Sequence, residues 1–554
     1  MAAAAGLRAW VRASLIGAGL VFVMTTPTIT GLTTAGRLDT NDGRHGIWNV
    51  AWIGHALLSP SASVFDANVF HPHTGTLAYS ELNLVAGLLG LPWYAATGSP
   101  LAAYNGAAAT GLVLAFVLMW TLVRRLTESD AAGLVSATAF TFCPYVAART
   151  PHIQLLMIFV FPLVLLAFHR MAERPGAWRG VQLGASLAVA ALACGYYGLF
   201  AGCVLGLVSL LFAQRRRAYW VGLAVALLMA SILVAPVFGA FSAARAASGA
   251  DVRPWDAQDA ANYSANLSAY FASPTFAHQW WLPALGRWQP WSEVLFPGAA
   301  LLLFAGLALR LTRSDPGRRR VVAVYGAVAI ASVWASFGPQ GGLYLVLFHT
   351  VPGLSMLRAP SRLGIVVTFA LAIMAGYSVA HLARRWRWLP AVLVVVLVCE
   401  LGVKTTEWGW PSWPLRTTAP LSPAYQRLAE LPRAPLVEYP FPYVSSNFHN
   451  HAHAMYWSTY HWQPLVNGYS DLIPADFRQI ALPINGFPDP ASFEIMRERG
   501  VRYVLWHVDT YNPEARAVLE ERMARYADYL QPIVQTETDW LFEIAGYPDR
   551  VTPE

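Results

Sequence analysis

Up to residue 404 the chain is built of long apolar runs separated by short basic or glycine-containing breaks. The runs fall at 9–31, 101–123, 131–148, 154–170, 180–195, 196–213, 218–240, 293–312, 321–337, 362–383 and 388–404. Each is near the roughly 20 residues that cross hydrocarbon as a helix. The pattern predicts a mainly α protein, a polytopic transmembrane helix bundle of about eleven spans. The stretch 180–213 is flanked by Arg179 and Arg215, so one long helix would put positive charge on both membrane faces. It is read as two short helices meeting at Gly195-Tyr196-Tyr197-Gly198, where glycine permits a tight turn and tyrosine suits the interface. The first run is too long for the apolar core of a signal peptide and is followed by a poor cleavage site, so it is read as an anchor.

Beyond about Thr405 the period changes. Segments 434–439, 501–507 and 540–544 read as strands, and 421–431, 490–499 and 513–528 as helices. The chain therefore divides into a transmembrane part, 1–404, with long loops at 32–100 and 241–292, and a small C-terminal α/β domain, 405–554. Loops of that length are usually functional.

Composition sharpens this. Of 554 residues, 56% are hydrophobic and only 12% charged, about half the charge of an ordinary soluble chain. Mean hydropathy is +0.42. The four cysteines all sit in apolar runs and cannot staple a chain this long. A net charge of +7 and a pI near 9.2 would suit a nucleic-acid binder, but the arginines are placed otherwise. Arg8, Arg12, Arg124, Arg125, Arg170, Arg174, Arg179, Arg215–Arg217, Arg313, Arg318–Arg320, Arg384, Arg385 and Arg387 all fall in connections on one side. The positive-inside rule makes that side cytoplasmic. The expected location is the bacterial plasma (inner) membrane, with the N-terminus cytoplasmic and the long loops and C-terminal domain extracytoplasmic; no nucleic acid is implied. The cytoplasmic loops are too short for a nucleotide-binding domain, and no G-x-x-x-x-G-K-[ST] occurs.

Candidate chemistry gathers in the first loop: Asp39, Asp42, His45, Trp48 and Asn49, then Asp66, His71, His73 and Glu81. A carboxylate at the bilayer surface can act as general base, bind a divalent ion on a phosphate, or pair with Arg. Asp42 is the best candidate for the base. Arg358 and Arg362 flank Pro360 before the tenth span, on the side where positive charge is thin, and guanidinium forks suit phosphate oxygens; interfacial snorkelling is the alternative. His152 and Gln154 open the fourth span and are candidates for sugar or acceptor contacts, with capping and packing as the alternative. The second loop holds Trp255, Tyr263, Tyr270, Phe271, Trp280, Trp281, Trp288 and Trp291, suited either to a membrane-interface belt or to sugar stacking. In the tail, His449, His451 and His453 would share one face of an extended strand, with His461 beyond. No hydrolase or zinc-protease motif appears.

The stretches Asn41-Asp42-Gly43-Arg44, Ile47–Trp52, Val64–Phe70 and Tyr79-Ser80-Glu81 resemble the first outer loop of a group of bacterial multi-spanning proteins similar to the GT-C superfamily of membrane glycosyltransferases, which includes protein O-mannosyltransferases and aminoarabinose transferases. Phe142–Tyr145, His152–Leu156, Cys194–Gly198, Leu357–Arg362, Ser458–His461 and Asn467-Gly468-Tyr469 extend the resemblance over nearly the whole chain. It implies a GT-C-like fold and an inverting-type transferase of hexosyl or pentosyl groups. The donor would be a polyprenyl-phosphate sugar, and the acceptor an extracytoplasmic glycan, lipid or protein. Asp42 and Asp39 would be catalytic. Asp66, Glu81, His55, His152, Gln154, Arg358, Arg362 and His461 would bind substrate among membrane lipids. The resemblance implies no definite cofactor and leaves a divalent cation, magnesium or manganese, open. Asp39 and Asp42 are separated where many superfamily members carry adjacent acids. A transporter or flippase of lipid-linked glycan, or a non-catalytic envelope assembly protein, is the alternative. The first would want charged residues at mid-membrane and an internal repeat, whereas Glu400 is the lone such charge and no repeat is visible.

Overall fold

The computed structural model describes residues 2–26, 29–249, 256–286, 293–403 and 416–548, with side chains from residue 6 onward. The expected boundary near Thr405 and the aromatic residues Trp255, Trp288 and Trp291 lie outside the described residues.

The chain is mainly helical. In order the helices are α1 (Ala2–Thr25), α2 (Asn41–Leu58), α3 (Leu84–Thr97), α4 (Pro100–Thr127), α5 (Asp130–Thr141), α6 (Pro144–Ala148), α7 (Val160–Glu173), α8 (Ala177–Ala193), α9 (Gly195–Leu211) and α10 (Arg217–Ala247). They continue with α11 (Ala299–Leu311), α12 (Pro316–Ser336), α13 (Leu343–Thr350), α14 (Gly364–Leu382) and α15 (Leu389–Leu401). Among the described residues, five helical stretches are long and apolar enough to cross a membrane: Gly6–Thr25, Pro100–Thr127, Asp130–Ala148, Arg217–Ala247 and Pro360–Leu382. α3, α9, α11 and α15 are shorter apolar helices.

Local chemistry explains where these helices begin. Ser99-Pro100 and Asp315-Pro316 each put a capping side chain directly before a proline. The cap oxygen takes the N–H three residues on, and proline at the first helical position has no N–H to leave unpaired. α8 and α9 break at Cys194, beside the expected Gly195–Gly198 turn. Glu400, near the end of α15, also has a structural use: it accepts the backbone N–H groups of Ala299 and Ala300 and so caps α11. α8 and α10 meet through glycine, since a Cβ on Gly180 would lie 2.3 Å from the carbonyl oxygen of Gly222. Such small-residue approaches are how helices pack in lipid.

The first long segment is not the unstructured loop expected at 32–100. It contains α2 and α3, and α2 carries Trp48, Trp52 and Ile53 into a core shared with the tail. Two short strands, β1 (Ala35–Gly36) and β2 (Arg416–Thr417), pair antiparallel, and the tail forms a four-stranded sheet ordered β3-β4-β6-β5: β3 (Leu436–Tyr439), β4 (Tyr503–His507), β5 (Leu530–Gln535) and β6 (Asp539–Ile544). β3 and β4 run parallel, and the other neighbours antiparallel. Segment 464–466 pairs with the outer edge of β3, and backbone bonds join Leu465 in turn to Asn68 and His71, while Phe70 N–H donates to the carbonyl of Asn467. That covers an edge that would otherwise expose unpaired backbone groups. Trp48 Nε1 donates to Asn68 Oδ1 at 3.0 Å, and Asn68 Nδ2 donates to Ser458 Oγ at 3.1 Å. The first loop is thus built into the tail's core.

Two further expectations are corrected. Ser445–His451 is a 3-10 turn running into the helix Ala452–Ser458, so His449, His451 and His453 do not line one face of a strand. His451 is buried and bonds to the carbonyl of Pro442 at 3.0 Å. In the second loop, α10 continues past the expected end at 240 to Ala247, followed by short 3-10 turns.

Candidate functional site

α2 begins where Thr40 Oγ accepts the N–H of Gly43 at 3.1 Å. A Cβ at Gly43 would stand 2.0 Å from the carbonyl oxygen of Arg37, so only glycine lets the chain fold back there. This turn sets Asp42 in the first turn of the helix, where the partial positive charge of the N-terminus favours a carboxylate. Asp42 Oδ2 lies 3.4 Å from His152 Nε2. Hydrogen bonding to His152, with the charge of Arg362, holds Asp42 below the ordinary carboxylate value despite desolvation. Burial lowers His152 and His45, so both imidazoles are poised to be neutral beside an ionised Asp42. The Asp42 side chain remains 55% exposed and is open to an incoming group.

Asp42 lines a cavity of about 410 Å³ with Glu81, His152, Gln154, Arg358 and Arg362. Residues that sequence reasoning placed far apart therefore meet in one space. Glu81 Oε1 accepts the N–H of Gly195 at 2.5 Å, which ties the first loop to the start of α9. Burial raises Glu81 toward its neutral form, opposed by that hydrogen bond and by Arg362. The Arg362 guanidinium sits 4.1 Å over the ring of Tyr196, and that of Arg358 5.1 Å over Tyr263. Both guanidinium groups thus rest on aromatic faces at the cavity wall.

The other candidates lie elsewhere. Asp39 is held in a two-pronged pair with Arg37, at 2.8 and 3.0 Å, and does not line the cavity. Asp66 accepts the N–H of Gly75 at 2.7 Å and closes its own loop. His55 stacks on Trp462 at 4.5 Å, at the far end of α2. The His461 side chain is fully buried, with Nε2 3.9 Å from Glu438 Oε1. None of these four lines the cavity that holds Asp42.

Sequence reasoning missed several cavity residues. Tyr469 and Asp471 reach it from the tail, and His45 meets Tyr469 edge-on at 5.9 Å. Arg245 arrives because α10 runs past its expected end. The Asn467-Gly468-Tyr469 patch was the available signal for the tail's part. At Gly468 a Cβ would strike the ring of Phe70 at 2.7 Å, so glycine lets the tail close onto the first loop.

This helix assembly, with an acidic first loop folded into the tail, shares its fold with a solved arabinofuranosyltransferase. It matches the structure of the arabinofuranosyltransferase AftD from Mycobacteria over 97% of this chain, with a TM-score of 0.57 and 14% identity. By sequence the chain belongs to the family described as a domain of unknown function (DUF6311), whose model matches residues 91–401. It spans 40% of the AftD structure's length. Weaker likenesses are to ArnT from Cupriavidus metallidurans bound to undecaprenyl phosphate (TM-score 0.42, 14% identity, 96% of this chain and 98% of that one). The archaeal oligosaccharyltransferase AglB from Archaeoglobus fulgidus, in complex with an inhibitory peptide and a dolichol-phosphate, follows at TM-score 0.40 and 12% identity, over 98% of this chain and 74% of that one. No curated protein matches the sequence.

Proposed function

We propose that the chain is a membrane glycosyltransferase that moves a hexosyl or pentosyl group from a polyprenyl-phosphate donor to an extracytoplasmic acceptor. The observation that carries this reading is the cavity that sets Asp42 and His152 against Arg245, Arg358 and Arg362. In the proposed step an acceptor hydroxyl attacks the anomeric carbon and the bond from that carbon to the phosphate oxygen breaks. Asp42 takes the hydroxyl proton, and polyprenyl phosphate leaves with the bonding pair. A single displacement inverts the anomeric centre. Arg358 and Arg362 meet the charge that develops on the departing phosphate, where fixed donors act without reorganising. Glu81 and His152 position the arginine wall and the base; Gln154 and Tyr469 face the sugar. Among the described residues no group of three or more His, Cys, Asp or Glu side chains is placed to hold a metal ion. A magnesium or manganese ion belongs to the proposal only as a companion of the donor phosphate.

The proposed topology keeps the arginine-rich connections cytoplasmic, about eleven spans including the shorter apolar helices, and residues 405–554 as an extracytoplasmic α/β domain in a bacterial plasma membrane. Two features support this arrangement: the cavity lies where the tail, the first loop and the start of α9 converge, and the tail's own polar residues reach into it.

The test is mass spectrometry of lipids that co-purify with the detergent-solubilised protein, comparing wild type with the Arg358→Ala/Arg362→Ala double variant. Polyprenyl phosphate or its glycoside on the wild type, lost from the variant, is expected. Bulk phospholipid alone on both would overturn the donor assignment.

A further inference from the structure

A second cavity, about 870 Å³, lies in the tail and has a different chemistry from the first. It is near the upper end of the roughly 300–1,000 Å³ of small-molecule sites. Its walls offer the rings of Tyr425, Tyr439, Tyr443, Trp457 and Tyr511, and planar polar groups on Asn447, Asn450, Asn467 and Asn485. At its base Glu438 Oε2 accepts the Tyr425 hydroxyl at 2.8 Å and lies 3.3 Å from His507 Nε2, while His507 Nδ1 meets Asp539 at 2.6 Å. Glu438 is only 2% exposed; its Oε1 makes no hydrogen bond among the described residues and faces His461 Nε2 at 3.9 Å, outside the cavity lining. A hydrogen-bond donor brought by a ligand would therefore meet the amide oxygens and the other carboxylates of the wall.

Charge narrows what that donor is. The lining contains no lysine or arginine among the described residues, and it carries Glu438, Asp509 and Asp539. An anionic ligand is disfavoured here, in contrast to the cavity walled by three arginines. Ring faces for apolar C–H surface, together with amides and carboxylates that accept paired hydroxyls, match a neutral, polyhydroxylated ligand. We propose that this tail cavity is a binding site for a neutral oligosaccharide.

Its position gives it a use. Asn450 lines the tail cavity, and its side-chain oxygen accepts a hydrogen bond from Asn41 Nδ2 at 2.9 Å. Asn41 precedes Asp42, so the rim of one cavity touches the helix turn that carries the carboxylate of the other. A glycan seated on the tail would run past Asn450 toward Asp42. That it then serves as acceptor rests on the proposed transfer reaction; that it binds does not.

The experiment is titration calorimetry of the full chain in detergent with neutral trisaccharides (mannotriose, arabinotriose, cellotriose, maltotriose), and with trigalacturonic acid as the anionic comparison. Saturable binding of at least one neutral trisaccharide is expected, weakened at least about tenfold, roughly the energy of one lost ring stack, by Trp457→Ala and by Tyr443→Ala. Tyr443 is exposed, so its substitution leaves the fold intact even where that of Trp457 does not. Binding should be unchanged in Arg358→Ala/Arg362→Ala, which separates failure of this site from failure of the donor site. The inference is overturned if no neutral trisaccharide binds, if binding survives Tyr443→Ala, or if only the anionic sugar binds.

Discussion

The triad at the base of the tail sheet makes tail stability depend on pH in a direction the structure fixes. His507 ends β4 and is 12% exposed by side chain. Burial works against its protonation, but hydrogen bonds to Asp539 and Glu438 and their charges outweigh it and hold the imidazole at about 9, against an ordinary 6.5. At about 1.4 kcal/mol for each tenfold change in proton affinity, that difference is worth about 3 kcal/mol to the folded tail. Because the folded value lies above the unfolded one, the contribution is complete below about pH 6.5 and is lost as pH rises to about 9. The groups that face His507 do not titrate in that window: Asp539 is held low by His507, the Tyr425 phenol is raised by burial, and His453 is lowered by burial to about 3. Amide hydrogen exchange across Tyr503–His507 and Asp539–Ile544, corrected for intrinsic rates, reads this as a local opening free energy. It should fall by up to about 3 kcal/mol between those pH values in wild type, and stay flat in His507→Gln. A flat wild-type profile, or the same fall in the glutamine variant, would refute the reasoning.

Other expectations follow from packing. Gly180→Ala drives a methyl into the carbonyl of Gly222 and should cost about 1–3 kcal/mol of stability, seen as a lower thermal unfolding midpoint in detergent; an unchanged midpoint would contradict the close approach of α8 and α10. His55→Phe keeps the stack on Trp462 and Asp66→Asn keeps an acceptor for Gly75, so neither should change co-purified lipid or sugar transfer. A loss specific to transfer in either variant would return that residue to the active cavity.

How much of this was legible beforehand depends on the kind of physics involved. Apolar length is a local signal, and it anticipated the five long apolar helices and the break beside Gly195. α2 was hidden because its apolar face is made for the tail, which lies hundreds of positions downstream. Polar residues were legible as candidates but not as roles. Asp42, Glu81, His152, Gln154, Arg358 and Arg362 share a cavity, whereas Asp39, Asp66, His55 and His461 meet partners that only tertiary structure supplies. Arg245 escaped notice because a helix ran one turn and more beyond its apolar stretch.

The most direct measurement is sugar transfer in proteoliposomes supplied with polyprenyl-phosphate pentose and hexose donors and a neutral oligosaccharide acceptor, comparing wild type with Asp42→Asn. Wild type should transfer from at least one donor. The asparagine variant should retain bound lipid and lose at least about a hundredfold in rate, the scale of a missing general base. Undiminished transfer by a folded Asp42→Asn protein, or no transfer by wild type from any donor in the panel, would contradict the account.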